Sequence, residues 1–545
     1  MLLACSLAAL VFAGAPAGGR QLETTVQDDA LLLHSPPALV AEVARRIAWL
    51  GADRVRITAG WSALAPDPLS RRRPGPPFDA TDSSTYPGDG WVRLDRAVKA
   101  AVAAGLGVQL DVAFWAPRWA VQRRSPRDPD RPRWGPSPGE FASFATAVAR
   151  RYDGGFPDPE RPGSNLPAVR MYTTWNEPNN ATFLQPQWIR RHRRWQAESP
   201  HIYRAMHEAA YDAIKRVSPQ DAVLIGGTAS TGSSRPGRGG VPPLKFLRDM
   251  ACVDARLRPL AIPECNGYRP LRGDGYAHHP YSRYSAPDAP ASNPDDAPLA
   301  DSDRLEGLLN ALAAAGRLAQ PLAVYDTEYG YETNPPDPFV PFSPQQQAEF
   351  LGWSTYLAWR DPETRMFAQF PLQDQRPGEG EAGRPVPPTR ARRRAPADPT
   401  AAARRAWSSV QSGLFYPDGA PKPAVQAFRL PFWAQSEMVA GQPVVRLFGG
   451  VRPGGGHQVV RVERQDAAGG PWTPVQVTGQ TCEGATDFFT DDAGWFLRAA
   501  PYTGPGSYRL SRRQPDGSWE SGVEVPVSAP NQQGAGARPP LAPGG

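Results

Sequence analysis

With 545 residues, 40% of them hydrophobic and 10% aromatic, the chain exceeds one ordinary domain and can bury a sizeable core. Its formal net charge of +6 comes from arginines scattered among acids, and the arginine runs at 71–73 and 390–394 stand in proline-rich loops, a pattern that argues against a nucleic-acid footprint. The opening MLLACSLAALVFAGAPAGG is apolar over the length of a signal-peptide core and ends in small residues, Ala13-Gly14-Ala15 or Ala15-Pro16-Ala17. It is too short for a bilayer span, so a secreted or extracellular protein with no integral membrane segment in its mature chain is expected.

From 28 to 427 short β-branched runs alternate with helical segments. Strands are expected at 31–33, 54–58, 107–113, 169–175, 222–226, 276–279, 322–327 and 365–370. Helices are expected between them at 38–50, 91–104, 139–152, 202–217, 244–250, 303–318 and 344–359. This alternation predicts an α/β chain with parallel strands, a (β/α)8 TIM barrel. An open doubly wound sheet is the second choice, but no glycine-rich phosphate fingerprint follows the first strand. The stretch 376–405 is rich in Pro, Arg and Ala without periodicity and reads as a flexible insertion before the closing helix. From about 444 the pattern changes to short alternating runs such as VVRLFG, HQVVRVER and SYRLS, which predict a small antiparallel β-sandwich. The expected division is a leader at 1–20, the barrel at 21–435, the sandwich at 436–528 and a disordered tail at 529–545.

Chemistry in a barrel collects where strands end and the following loops begin. The fourth strand runs into MYTTWNEPNN and the seventh into VYDTEYGYET, placing Glu177 and Glu328 directly after β-rich runs. Strand ends four and seven face each other across a barrel mouth. Two facing carboxyls, one protonated and one ionised, are what cleavage of a glycosidic bond needs, and the charged partner is expected to raise the acid. Trp61, Trp115 and Trp119 follow strands two and three and suit either plain packing or stacking on sugar rings. By the two-residue period of a strand, Asp326 shares the face of Glu328, in a structural role. His278-His279 has no third ligand at a useful spacing, and no C-x-x-C or Cys/His pattern occurs, so neither a metal nor another cofactor is expected. Export and short spacing predict a disulfide between Cys252 and Cys265, contributing roughly 3 kcal/mol for a loop of about 14 residues. Cys482 is then left unpaired, since Cys5 departs with the leader.

Trp175-Asn176-Glu177-Pro178-Asn179 resembles the strand-four signature of clan A glycoside hydrolases, families 39 and 5 above all. The resemblance implies Glu177 as acid/base, Asn176 as a partner of the sugar 2-hydroxyl, and Glu328, in Thr327-Glu328-Tyr329-Gly330, as nucleophile. It further implies Arg56, in Val55-Arg56-Ile57, and His279 or Tyr281, in HHPYS, as supports of the nucleophile. It covers roughly 28–430, including the closing stretch 412–423. One departure is the end of strand eight, Gln369-Phe370-Pro371, where the clan carries a Trp; Trp407 is the candidate to take its place. The reading that follows is a monomeric retaining hydrolase acting on a β-linked carbohydrate, with xylosides, glucosides, uronides and arabinosides all within the clan's range. A non-catalytic carbohydrate-binding barrel is the alternative, opposed by the intact Glu177, Asn176, Glu328 and Arg56. A Schiff-base aldolase is disfavoured because Lys99, Lys215, Lys245 and Lys422 all lie away from strand ends. A metal-dependent hydrolase is disfavoured for want of a His/Asp ligand cluster.

Overall fold

The computed structural model describes residues 22–121, 132–378, 407, 409–478 and 486–530. The expected leader, Cys482, residues 379–405 of the insertion expected at 376–405 and residues 531–545 of the tail expected at 529–545 lie outside the described residues. The chain divides into two compact units, Leu22–Val425 and a second from Gln426 onward.

The first unit is a closed barrel of eight parallel strands. They are β1 Glu23–Gln27, β2 Arg54–Gly60, β3 Gly107–Ala113, β4 Met171–Thr174, β5 Ala222–Ala229, β6 Gly275–His279, β7 Val324–Asp326 and β8 Thr364–Gln369. Each pairs with its sequence neighbour, and β1 closes the ring, Val26 standing opposite Val55 of β2 and Gln369 of β8. The strands are buried almost throughout because both their faces are covered. Around them lie α1 Asp29–His34, α2 Pro37–Leu50, α3 Trp61–Leu64, α4 Gly88–Ala103, α5 Pro138–Arg151, α6 Ser199–Val217, α7 Pro243–Met250, α8 Ser302–Ala314 and α9 Pro344–Arg360. Local chemistry sets several of their ends. α2 buries Val40, Val43, Ala44, Ile47 and Leu50 and stops at Gly51, whose φ of 83° suits a residue without Cβ. α9 opens on a capping box, the Ser343 hydroxyl accepting from the Gln346 amide and the Gln346 side chain accepting from the Ser343 amide.

One expected element is displaced. Residues 31–33 are helical within α1, and the first strand lies earlier, over Glu23–Gln27. A run of three leucines carries no period. The Asp28 carboxylate decides the matter by accepting the Leu31 amide at 3.0 Å as an N-cap, while the β-branched Thr24-Thr25-Val26 fits the pleat. The same carboxylate also accepts the Gln373 amide (3.1 Å), tying the end of β1 to the segment after β8.

Met171, Leu224, Ala277 and Met366, with Tyr325 against them, fill the barrel interior at the strands' starts. Toward the strands' ends the buried side chains become polar: Gln27, Arg56, Asp111 and Thr173. The apolar layer fixes the barrel and the polar layer above it is the floor of a site.

In the second unit, strands Phe432–Val439, Gln442–Gly450 and Trp495–Pro501 make one antiparallel sheet. A second is built on Val459–Gln465 and Gly506–Arg513. Phe432, Val445, Leu447 and Phe496 from the first meet Val460, Val462, Tyr508 and Leu510 from the second in one core, the expected sandwich. Cys252 and Cys265 are joined, with Cα atoms 5.6 Å apart. Among the described residues no helix is long and apolar enough to cross a membrane.

Candidate active site

The loop after β4 is held at several points before any chemistry begins. The Trp175 amide donates to the Val112 carbonyl of β3 and the Glu177 amide to the Gly227 carbonyl of β5, both at 2.8 Å. Trp175 is fully buried and packs edge-on against Phe141 of α5. Asn179 clamps the far side, its amide donating to the Ala229 and Val241 carbonyls and its oxygen accepting the Ala229 amide. These anchors hold Trp175 and Glu177 at φ values of 70° and 39°, a backbone region that side chains other than glycine rarely occupy. The strain is spent on turning the Glu177 side chain into the barrel mouth.

Glu328, just past β7, meets it there. One carboxylate oxygen of each, together with a His279 ring nitrogen, lie within 4.8 Å of one another. Arg56 occupies the floor beneath. Its Nη1 donates to Glu328 Oε1 at 2.5 Å and also to Gln27, and its Nη2 donates to Asp111 Oδ2 (2.9 Å) and Asn176 Oδ1 (3.0 Å). Asp111 in turn accepts from the Thr173 hydroxyl at 2.7 Å. Burial pushes the Asp111 carboxyl up to about 6, against the pull of Arg56. The Tyr281 hydroxyl donates to Glu328 Oε2 at 3.2 Å. Burial, then the charges of Glu328 and Glu177, push this phenol well above its ordinary range, so it stays a donor. A fixed cation below and a donor beside it suit Glu328 to be an anion aimed at the mouth.

Glu177 has different company. Asn180 donates to its Oε2 at 2.7 Å, and His279 Nδ1 stands 3.2 Å from its Oε1 and 3.4 Å from Glu328 Oε2. Burial acts to raise this carboxyl, but the hydrogen bond and positive charge of His279 and the Asn180 bond outweigh it and hold Glu177 below the usual carboxylate range. This corrects the sequence expectation of a raised acid: His279 stands between the two carboxylates and answers Glu328's charge.

Glu177, Glu328, Asn176, Arg56, His279 and Tyr281 thus come together. The aromatic candidates fare differently. Trp61 is fully buried, stacked on Phe144 and tilted against Phe141, and belongs to the core behind the barrel. Trp119 donates to the Pro66 carbonyl and packs edge-on against Trp61 and Phe78. Trp115 is half-buried, donates to the Thr182 carbonyl and stacks on Phe183, on the loop that carries Glu177. Trp407 is half-buried, and among the described residues no hydrogen bond or ring contact joins it to the two carboxylates. His278 is spent on Thr228 Oγ1 and the Ala297 carbonyl, as a bracket between strands. Asp326 does not share Glu328's surroundings: its charged neighbour is Asp361 at the end of α9, and it acts in turn on Glu306 of α8. The strand period breaks where β7 ends, and Glu328 turns inward on the loop.

Gln27, Asp111, Thr173 and Asn180 were not foreseen. An acid within Val108-Gln109-Leu110-Asp111-Val112-Ala113, a strand whose other residues are uncharged, is the signal that would have marked Asp111. The spacing of Glu177, His279 and Glu328 would admit a metal ion. Arg56 already gives Glu328 its positive partner, so a second cation there would meet a buried guanidinium.

No protein-family model matches the chain, and none of the curated proteins matches it. Among solved structures it is similar to a family 39 glycoside hydrolase from the gut symbiont Bacteroides cellulosilyticus WH2, 15% identical over 89% of this chain and 81% of that one, with a TM-score of 0.48. It is also similar to a monomeric beta-xylosidase from Caulobacter crescentus CB15, 14% identical over 89% and 98% of the two chains, with a TM-score of 0.47. A glucosidase from Croceicoccus marinus is 12% identical over 90% and 98%, also with a TM-score of 0.47.

Proposed function

We propose that the chain is an exported retaining glycoside hydrolase acting on a β-linked carbohydrate. The observation that carries this reading is the approach of Glu177 and Glu328, one oxygen of each within 4.8 Å, across a mouth floored by Arg56. Retaining enzymes hold their carboxyls about 5–5.5 Å apart, and inverting enzymes about 6.5–9.5 Å, to admit a water. The short gap favours direct attack by Glu328 on the anomeric carbon, forming a glycosyl ester as the glycosidic bond breaks. Arg56 and Tyr281 orient the attacking carboxylate. Glu177 delivers a proton to the departing oxygen, then takes one from the water that cleaves the ester. His279 Nδ1 stands against both carboxylates and fixes their relative placement. Asn176, held by Arg56 through its oxygen, keeps its amide N–H groups for a sugar hydroxyl.

Purified protein assayed on a panel of chromogenic glycosides tests the reading. Turnover is expected on at least one β-glycoside. In the Glu328→Ala protein it should fall by on the order of 10⁴-fold or more, with azide restoring part of it as a glycosyl azide of inverted configuration. Glu177→Ala should keep more activity on substrates with good leaving groups, which need little protonation. Binding of oligosaccharides without turnover of any glycoside would favour the non-catalytic alternative.

A further inference from the structure

Away from the barrel mouth, a second set of ligand-bearing side chains converges. His201 in the first turn of α6, Cys252 just after α7, and Cys265 in the short turn Pro263–Cys265 each bring one nitrogen or sulfur within 4.8 Å of the others. The two sulfurs are bonded to each other. His201 is 7% exposed, and among the described residues neither ring nitrogen has a hydrogen-bond partner. Buried polar groups are as a rule matched, so an unmatched imidazole beside two sulfurs points to a ligand.

We propose that opening the Cys252–Cys265 disulfide turns His201, Cys252 and Cys265 into a binding site for one thiophilic divalent cation of the zinc type. Tetrahedral zinc holds thiolates at about 2.3 Å and imidazole at about 2.0–2.1 Å, which puts nitrogen and sulfur about 3.5 Å apart. The three ligand atoms already stand within 4.8 Å of one another, and opening the disulfide frees the bonded sulfurs to separate toward the spacing of two ligands on one ion. Charge selects the ion. Arg204, Arg191 and Lys245 all face His201, and Glu264 is the acid among them, so a lone cation would be repelled. Two thiolates cancel the ion's charge and leave the site neutral. Arg204 prepares one of them, its Nη1 donating to Cys252 Sγ at 2.7 Å and to the Met250 carbonyl at 3.1 Å. Water fills the fourth position. A phosphine reductant supplies the two electrons, leaving as the phosphine oxide with oxygen from water, and gives two thiols. Binding of the cation then releases their two protons. Cys252 and Cys265 follow His201 by more than fifty residues, so no compact ligand motif marks the set in the sequence.

The test is an anaerobic titration of the full chain with Co²⁺, the spectroscopic stand-in for zinc, before and after phosphine reduction. The reduced protein should take up one equivalent with an intense near-ultraviolet sulfur-to-cobalt band and tetrahedral visible bands, both erased by Zn²⁺. The oxidised protein should show neither. Cobalt at Glu177, His279 and Glu328 would lack the sulfur band, which separates the two sites. His201→Ala should weaken binding by about tenfold or more, and Cys252→Ser should abolish the sulfur band's full intensity. A reduced protein without a sulfur-to-cobalt band overturns the proposal. So does a His201→Ala protein that binds as tightly as the parent, or loss of the native circular dichroism on reduction.

Discussion

Asp326, the last residue of β7, and Glu328, two residues on, face different regions of one barrel. Asp326 turns to the helix layer, 1% exposed, and neither of its carboxylate oxygens has a hydrogen-bond partner among the described residues. Burial, then the charge of Asp361, pushes its carboxyl far above the usual range; Glu306 beside it is raised for the same reasons. Glu328 is nearly as buried, yet it has Arg56 on one oxygen and Tyr281 on the other. Burial alone makes an acid give up its charge. Burial with a fixed cation on one oxygen and a directed donor on the other holds a carboxyl in a set orientation that chemistry can use.

Removing the cation should do the greatest damage. Arg56→Met leaves Glu328 and Asp111 buried against each other without their shared partner. A loss of about 3–5 kcal/mol in stability is expected, together with a fall in kcat/KM on the order of 10²–10³-fold. Chemical denaturation and steady-state kinetics read the two effects; near-normal values of both would remove Arg56 from the account.

A smaller effect separates the two carboxylates. Glu177 is held low by His279, and the first step needs it protonated, so activity should fall as pH rises through its titration. In His279→Ala the burial and the charge of Glu328 remain while the lowering contacts go. The alkaline limb of kcat/KM should move upward. A limb that stays in place or moves toward acid would show that His279 does not set the acid's titration.

The smallest effect concerns Asp326. A carboxyl raised in the folded state binds more protons folded than unfolded above its ordinary value near 3.8, so it lowers stability as pH rises through the window above that value. Asp326→Asn removes this cost. At pH 5 its stability should differ from the parent's by under about 1 kcal/mol, and the gap should widen in the variant's favour toward pH 9. Parallel melting curves across that range would show an Asp326 anion is tolerated.

Much of this was legible beforehand. Trp175-Asn176-Glu177-Pro178-Asn179 and Thr327-Glu328 marked the two carboxylates because each sets a Glu directly after a β-rich run, and the first is distinctive because a loop that holds Glu177 at an unusual backbone angle needs specific residues to pin it. Arg56, His279 and Tyr281 came as what the resemblance to clan A glycoside hydrolases implies. What escaped notice depended on contacts across the barrel. Asp111 and Gln27 meet Arg56 only when the ring closes. Trp61 follows a strand end as a sugar platform would, but α3 carries it into the core. Leu31-Leu32-Leu33 has no period, and the Asp28 cap makes it helix.

The account's central claim is that Glu328 itself attacks the anomeric carbon. Proton NMR of the first sugar released by the unaltered protein from a β-glycoside tests this most directly. The product should appear first as the β-anomer and only later equilibrate by mutarotation. An initial α-anomer would mean that water attacks in a single displacement, and would contradict the assignment of Glu328 as nucleophile.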